Sequence, residues 1–288
     1  MRVVQISDIH LSPTHGFFVE NLWKTIDYVG SLKPDFIIVT GDLAINGPDD
    51  ERELAFAQAE LQRLPAPWQA IPGNHDIGDE PPGQDVKQLI DQARLDRWRT
   101  NVGADCWTKD LGDWRFIALN AQLFGSGLDA DNKQRQWLEG ELRSAGAKNL
   151  GVFLHKPLFA LSTSDPASIS CITPEPRQYL IPLLRDAGVR FVASGHLHCH
   201  KQTTHEGMDL IWAPSTAFIN GSATGAVPDH IAGTRLELGI LVFDFAGGDY
   251  KVAFDCPTGL KQYYLHDIKQ GKYAFLRDMP PYFPERQT

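Results

Sequence analysis

Short apolar runs in this chain stop abruptly at polar side chains that can bind metal. Arg2-Val3-Val4-Gln5-Ile6 leads to Asp8 and His10, and Phe36-Ile37-Ile38-Val39 leads to Gly41-Asp42. Val152-Phe153-Leu154 leads to His155, and Phe191-Val192-Ala193 leads to Gly195-His196-Leu197-His198. Gly73-Asn74-His75-Asp76 is a further segment of the same make-up. Continuous apolar runs this short suit strands covered on both faces. Ligands in α/β sheets gather at strand ends. The pattern therefore predicts an α/β fold whose polar residues converge on one rim.

Helix patterns lie between the runs. Leu22, Ile26 and Val29 recur at i, i+4, i+7. Leu180, Leu183, Leu184 and Ala187 repeat at helical spacing, with Thr173 as N-cap, Pro174 at the first helical position and Gly188 at the end. Asp131 is expected to cap a helix bearing Trp137, Leu138 and Leu142. After about Gly195 the character changes. Thr203 to Ala213 and Ile240 to Asp255 alternate, with turns at Glu206-Gly207 and Gly247-Gly248, and read as antiparallel hairpins. Pro214 to Gly233 reads as a long irregular loop. No linker splits the chain. The expected division is one domain over 1–257 and an aromatic, proline-containing tail over 258–288, which packs on that domain or forms a dimer contact.

Composition excludes several classes of partner. The net charge is -9 and there is no long basic run, so duplex nucleic acid is not the expected partner. No apolar stretch is long enough to cross a bilayer, which argues against a membrane partner. The first strand begins at once and already carries Asp8, so no signal peptide is expected. Four widely spaced cysteines without a CxxC pair make a reduced cytoplasm the simplest setting.

Asp8, His10, Asp42, Asn74, His155, His196 and His198 are all nitrogen or oxygen donors. Without thiolate, such a set favours Mn, Fe, Zn or Co over Mg or Ca. In extended backbone, residues i and i+2 point the same way, so Asp8 and His10 can serve one ion. His196 and His198 have the same spacing, although Leu197 between them can send the rings to different ions. Gly41, Gly73 and Gly195 each precede a ligand, where glycine permits tight turns and positive φ. Each motif alone is weak: a lone His155 reads as a core histidine, and Gly73-Asn74-His75-Asp76 as a turn. Their joint occurrence, in order, is what points to metal.

That order of motifs, D-x-H, G-D, G-N-H-[DE], a single His and G-H-x-H, resembles the calcineurin-like metallophosphoesterase superfamily. Gln136-Trp137-Leu138 is also similar to a helix common there. The chain looks most like the compact bacterial branch that includes cyclic-nucleotide and glycerophosphodiester phosphodiesterases, over roughly the first 255 residues. The resemblance implies a four-layer αββα sandwich of two mixed β-sheets flanked by helices. It implies one metal on Asp8, His10, Asp42 and His198, and another on Asp42, Asn74, His155 and His196, with Asp42 bridging. A metal-bridging hydroxide would attack phosphorus, and His75 would protonate the leaving oxygen. Asp76 would orient a neighbouring ring.

The chain departs from many relatives at His155-Lys156-Pro157, where they carry a second histidine. Lys156 reads either as a phosphate contact or as a solvated lysine. His15 and His230 lie in loops that could border the site, and His200 and His205 read as surface residues. Pro81-Pro82-Gly83 is either a gating loop or ordinary surface.

A diester monoanion needs fewer positive groups than a monoester dianion, and few Lys or Arg flank the motifs. A small phosphodiester, such as a cyclic nucleotide or glycerophosphodiester, is therefore the favoured substrate. The alternatives are a phosphomonoesterase, a hydrolase of nucleotide pyrophosphate or phospholipid headgroups, and a binding scaffold of this fold. The oligomeric state is left open, a homo-oligomer included.

Overall fold

The computed structural model describes residues 1–81, 88–221, 231–265 and 281–284. Its first half alternates strand and helix: β1 (Arg2–Ile6), α1 (Val19–Leu32), β2 (Phe36–Thr40), α2 (Glu51–Leu61), β3 (Trp68–Ile71), the single turn α3 (Asn74–Ile77) and α4 (Gln92–Asn101). There follow β4 (Trp107–Leu111), β5 (Trp114–Ala118), α5 (Asp129–Arg143), β6 (Asn149–Phe153), α6 (Pro174–Asp186) and β7 (Val189–Ser194). The strands β8 (Lys201–His205), β9 (Met208–Trp212), β10 (Ile240–Ala246) and β11 (Asp249–Asp255) complete the order. Among the described residues, no helix is long and apolar enough to cross a membrane.

Among the described residues the strands form two mixed sheets, ordered β11-β10-β1-β2-β3 and β4-β5-β6-β7-β9-β8. β1, β2 and β3 pair in parallel, as do β5, β6, β7 and β9, while the β8–β9 and β10–β11 hairpins are antiparallel. The sheets pack face to face through Val3, Ile38, Phe116, Phe153, Phe191, Ile211 and Phe243, all fully buried. The rings of Phe153 and Phe191 meet edge to face at 5.5 Å, and each buried ring of this kind contributes about 1.5–3 kcal/mol. On the outer face of the first sheet, Leu22, Val29, Leu54, Leu61 and Trp98 cover Val4, Ile37 and Val39. On the outer face of the second, Leu138, Leu142, Leu180 and Leu184 cover Ile117, Val152 and Val192. The order of layers is helix, sheet, sheet, helix, and both expected hairpins are present.

Two local expectations are corrected. Asp131 does not cap its helix, which starts earlier, after Leu128. Its carboxylate instead accepts from Gly125 N at 2.9 Å and pairs with Arg135 one turn on. Thr173 does sit at the N-cap of α6, with Pro174 following, but its side chain makes no capping hydrogen bond. The described parts of the tail fold back on the domain. Asn21 of α1 exchanges hydrogen bonds with the backbone of Lys261, and Tyr282 bonds the backbone of Thr14 and Gly16.

Candidate metal centre

The two sheets bring their strand ends to one edge. The loop after β1 runs alongside the loop after β2: Asp8 N donates to Gly41 O, His10 N to Asp42 O and Leu11 N to Leu43 O. The loop after β6 meets the loop after β7 through Gly195 N and His155 O at 2.9 Å. The two pairs are joined where His196 N donates to the Asp8 carboxylate at 3.1 Å.

The backbone here is strained at the donor residues themselves as well as at a glycine. Asp8, His10, Asp42, His196 and His198 all have φ between 46° and 69°, a region few non-glycine residues enter. Asp8 and His10 therefore do not point together because the segment is extended; two left-handed turns aim them. Of the three glycines, Gly41 has positive φ, at 90°. Gly73 and Gly195 act by close approach instead: a Cβ would lie 2.2 Å from Asp42 Oδ1 at Gly73 and 1.9 Å from Ser7 Oγ at Gly195.

These turns assemble two donor clusters that share Asp42. One is Asp8, His10, Asp42 and His198, all buried; the other is Asp42, His155 and His196. In the first, His10 Nε2 lies 3.2 Å from His198 Nε2 and 3.7 Å from Asp42 Oδ2, and His198 Nε2 lies 3.3 Å from Asp8 Oδ1. In the second, His155 Nε2 lies 3.2 Å from His196 Nδ1, 3.2 Å from Asn74 Oδ1 and 3.4 Å from Asp42 Oδ1. Asp42 turns one oxygen to each cluster. His196 and His198 serve different clusters, as Leu197 between them allows.

Three rings are oriented from behind. His155 Nδ1 meets Thr40 O at 2.8 Å, His198 Nδ1 meets Phe218 O at 2.8 Å, and His196 Nε2 meets Ile169 O at 2.7 Å. A ring N–H donating to a carbonyl leaves the opposite nitrogen as a lone pair, the arrangement found behind metal-bound histidine. A tetrahedral or octahedral ion with metal–nitrogen bonds of about 2.1 Å spaces its donors roughly 3.0–3.4 Å apart. The donor set therefore fits a cation in each cluster.

Electrostatics agree with this fit. Burial pushes His10 and His196 well below the usual histidine range, so both rings are neutral donors. Burial opposes charge on Asp42, but His155 and His75 outweigh it and hold the carboxyl well below the usual range. Burial also opposes charge on His155, yet Asp42 raises it to about 9. The field that would hold a proton on that ring is the field a metal cation answers.

The remaining predicted residues fall around the clusters. His75 N donates to Asp42 Oδ1 at 2.8 Å, its Nδ1 meets Ile45 O at 2.9 Å, and its ring packs edge-on to His10. Asn74, His75 and His196 are the half-buried members and mark the open side. Asp76 does not orient a ring. Its carboxylate accepts from Gly73 N and Ala44 N, and burial, with Asp42 adding repulsion, raises it to about 8. Lys156 is neither solvated nor aimed at a phosphate: it is buried, with Asp79 at 2.9 Å and Glu80 at 2.8 Å.

His15 packs on Phe17 and meets Thr14 Oγ1, in the loop to which Tyr282 is bonded. His230 lies outside the described residues, as do Pro82 and Gly83. His200 and His205 are half-buried rather than surface residues; His200 Nδ1 meets Trp212 O.

Sequence reasoning missed Phe218, Glu80 and Gln122. The Phe218 ring lies 4.2 Å from His198 and 4.9 Å from His10. The signal for Gln122 was present, since it too follows an apolar strand end, Phe116-Ile117-Ala118-Leu119.

A two-sheet αββα sandwich with a shared-aspartate donor cluster at its strand ends defines a metallophosphoesterase class. The family described as Calcineurin-like phosphoesterase matches residues 1–200, and the chain belongs to it. The match stops before β8, β9, β10 and β11, although β10 pairs with β1 inside the first sheet and β9 with β7 inside the second.

The chain is 29% identical over 206 residues to the serine/threonine-protein phosphatase CPPED1 of Danio rerio, covering 68% of this chain and 64% of the relative. It is 29% identical over 167 residues to a probable glycerophosphodiester phosphodiesterase, GpdQ, of Arcobacter nitrofigilis, covering 54% of this chain and 57% of the relative. The chain thus spans less than two thirds of the length of these relatives. Its fold is similar to that of the purple acid phosphatase PPD1 of yellow lupin, with a TM-score of 0.68, 14% identity, and coverage of 92% of this chain and 54% of the other.

Proposed function

We propose that this protein is a binuclear metal-dependent hydrolase of small phosphodiesters, such as a cyclic nucleotide or a glycerophosphodiester. The observation that carries the reading is Asp42, whose two oxygens face two donor clusters at once. Asp8, His10, Asp42 and His198 would hold one ion, and Asp42, Asn74, His155 and His196 the other, with Mn, Fe, Zn or Co as candidates. Two such ions supply Lewis acidity toward a phosphoryl group and acidify water.

This chain's own residues do the rest. The buried rings and carboxylates exclude bulk water beneath the site, while half-buried Asn74, His75 and His196 leave the substrate's side open. His75 Nδ1 faces a carbonyl, so proton transfer to the leaving oxygen falls to Nε2.

Diesters are favoured over monoesters because Lys156, the basic residue next to His155, is already paired with Asp79 and Glu80 and is not offered to a second phosphate charge. The second reading, a phosphomonoesterase, rests on the similarity to CPPED1. Manganese-loaded protein assayed on bis-p-nitrophenyl phosphate and p-nitrophenyl phosphate separates them. The diester reading expects a higher kcat/KM on the diester, and a large monoester preference would reverse it.

A further inference from the structure

Lys156 carries a charge into the interior, with its side chain 1% exposed. Its three N–H donors meet three oxygens, Asp79 Oδ1 at 2.9 Å and Glu80 Oε1 and Oε2 at 3.0 and 2.8 Å. Glu80 is itself buried and the Asp79 side chain is 12% exposed, so both partners are largely withdrawn from water. Buried ion pairs add little net stability, because desolvation offsets their attraction. Stability is therefore a poor reason for this one, and its connections suggest another.

Assigning the Gln122 amide so that each end faces a complementary partner makes its nitrogen donate to Glu80 Oε2 at 2.8 Å and its oxygen accept from Asn74 N at 2.7 Å. The amide of Gln122 is oriented by these two neighbours. Gln122 is fully buried and is steadied by its backbone N–H, which donates to Asn120 Oδ1 at 3.1 Å. Asn120 is held in turn by Asp105 and by the Gln134 side chain.

The path closes on itself. His155 and Lys156 are neighbours in the chain, Lys156 holds Glu80, Glu80 holds Gln122, and Gln122 holds Asn74. Asn74 Oδ1 then lies 3.2 Å from His155 Nε2. This ring passes through two donors of the second cluster and through none of Asp8, His10 and His198. Resting on the binuclear reading above, we infer that Lys156, Glu80 and Gln122 are positioning residues that fix Asn74 and so set the affinity of the second metal position separately from the first.

The test counts bound metal. Full-length wild type, Lys156→Met and Gln122→Met are equilibrated with graded free Mn²⁺, and bound ion per chain is measured by mass spectrometry. Wild type should take up two equivalents. Each variant should keep the first equivalent at wild-type affinity and bind the second about 10–100-fold more weakly, the usual effect of removing a group that orients a ligand. Two equivalents at wild-type affinity in both variants would overturn the inference, and so would equal weakening of both equivalents, which marks general damage. If Lys156→Met fails to fold because Asp79 and Glu80 lose their counter-charge, Gln122→Met removes no charge and decides alone. Wild type that binds fewer than two ions would instead overturn the binuclear reading, and the inference with it.

Discussion

His155 and His196 face each other nitrogen to nitrogen at 3.2 Å, while the far nitrogen of each ring meets a backbone carbonyl. If both far nitrogens carry their protons, two lone pairs are left pointing into one gap, which is stable only around a cation or an added proton. His10 and His198 also face each other nitrogen to nitrogen at 3.2 Å in the other cluster, with His198 Nδ1 on the Phe218 carbonyl. Asp42 is the carboxylate both clusters share, and it carries the heaviest consequence.

Asp42→Asn keeps the volume and removes the shared charge. Metal content should fall at both positions and phosphodiester hydrolysis should be lost. Metal analysis beside a bis-p-nitrophenyl phosphate assay checks this. A variant that keeps two ions per chain would show that Asp42 is not shared between them.

His75→Ala should retain the metals and lose about 10²–10⁴-fold in kcat on a diester with an alkoxide leaving group. The loss should shrink with p-nitrophenolate, which needs little protonation to depart. Equal losses on the two substrates would assign His75 to positioning through Asp42, to which its backbone N–H already donates.

Gly195→Ala places a methyl group 1.9 Å from Ser7 Oγ and 2.6 Å from Asp8 Oδ2. Overpacking of this kind costs about 1–3 kcal/mol. The urea midpoint should fall, and metal bound through Asp8 should weaken. Wild-type stability would mean that the Ser7 and Asp8 side chains move aside freely.

The loop that supplies the Ile169 carbonyl to His196 is held by Asp165 and Arg177. Asp165 accepts from Ala160, Leu161 and Ser162 N, and the Arg177 guanidinium gathers the carbonyls of Leu158, Thr163, Asp165 and Ile172. Burial opposes ionisation of Asp165, but the donated N–H groups, Leu161's foremost, hold its carboxyl below the usual range. A depressed folded pKa stabilises above the unfolded value, about 3.9, and the contribution is lost as pH falls through the folded pKa. The urea-midpoint advantage of wild type over Asp165→Asn should be level above about pH 5 and shrink in acid. An advantage that grows in acid would contradict the sign.

The fold was legible where buried parallel strands write themselves as unbroken apolar runs: β1, β2, β6 and β7 stand where Val3, Ile37, Val152 and Val192 lie. β3 and β4 were harder to see, because edge strands such as Trp68–Ile71 and Trp107–Leu111 mix polar and aromatic residues. The donors were legible because strand ends place them on one rim. The left-handed backbone at Asp8 and His10 was not, since tertiary pairing with the loop at Gly41–Leu43 imposes it against local preference. Lys156 was misread for a similar reason. Its partners Asp79 and Glu80 lie more than seventy residues away, and proximity in the chain says nothing of them.

Anomalous diffraction from crystals of manganese-loaded protein would locate the ions themselves. Two peaks should appear at the strand-end rim, one among Asp8, His10 and His198, the other among Asn74, His155 and His196, with the Asp42 carboxylate between them. A single peak, or ions bound away from Asp42, would contradict the shared-aspartate centre on which the proposed chemistry depends.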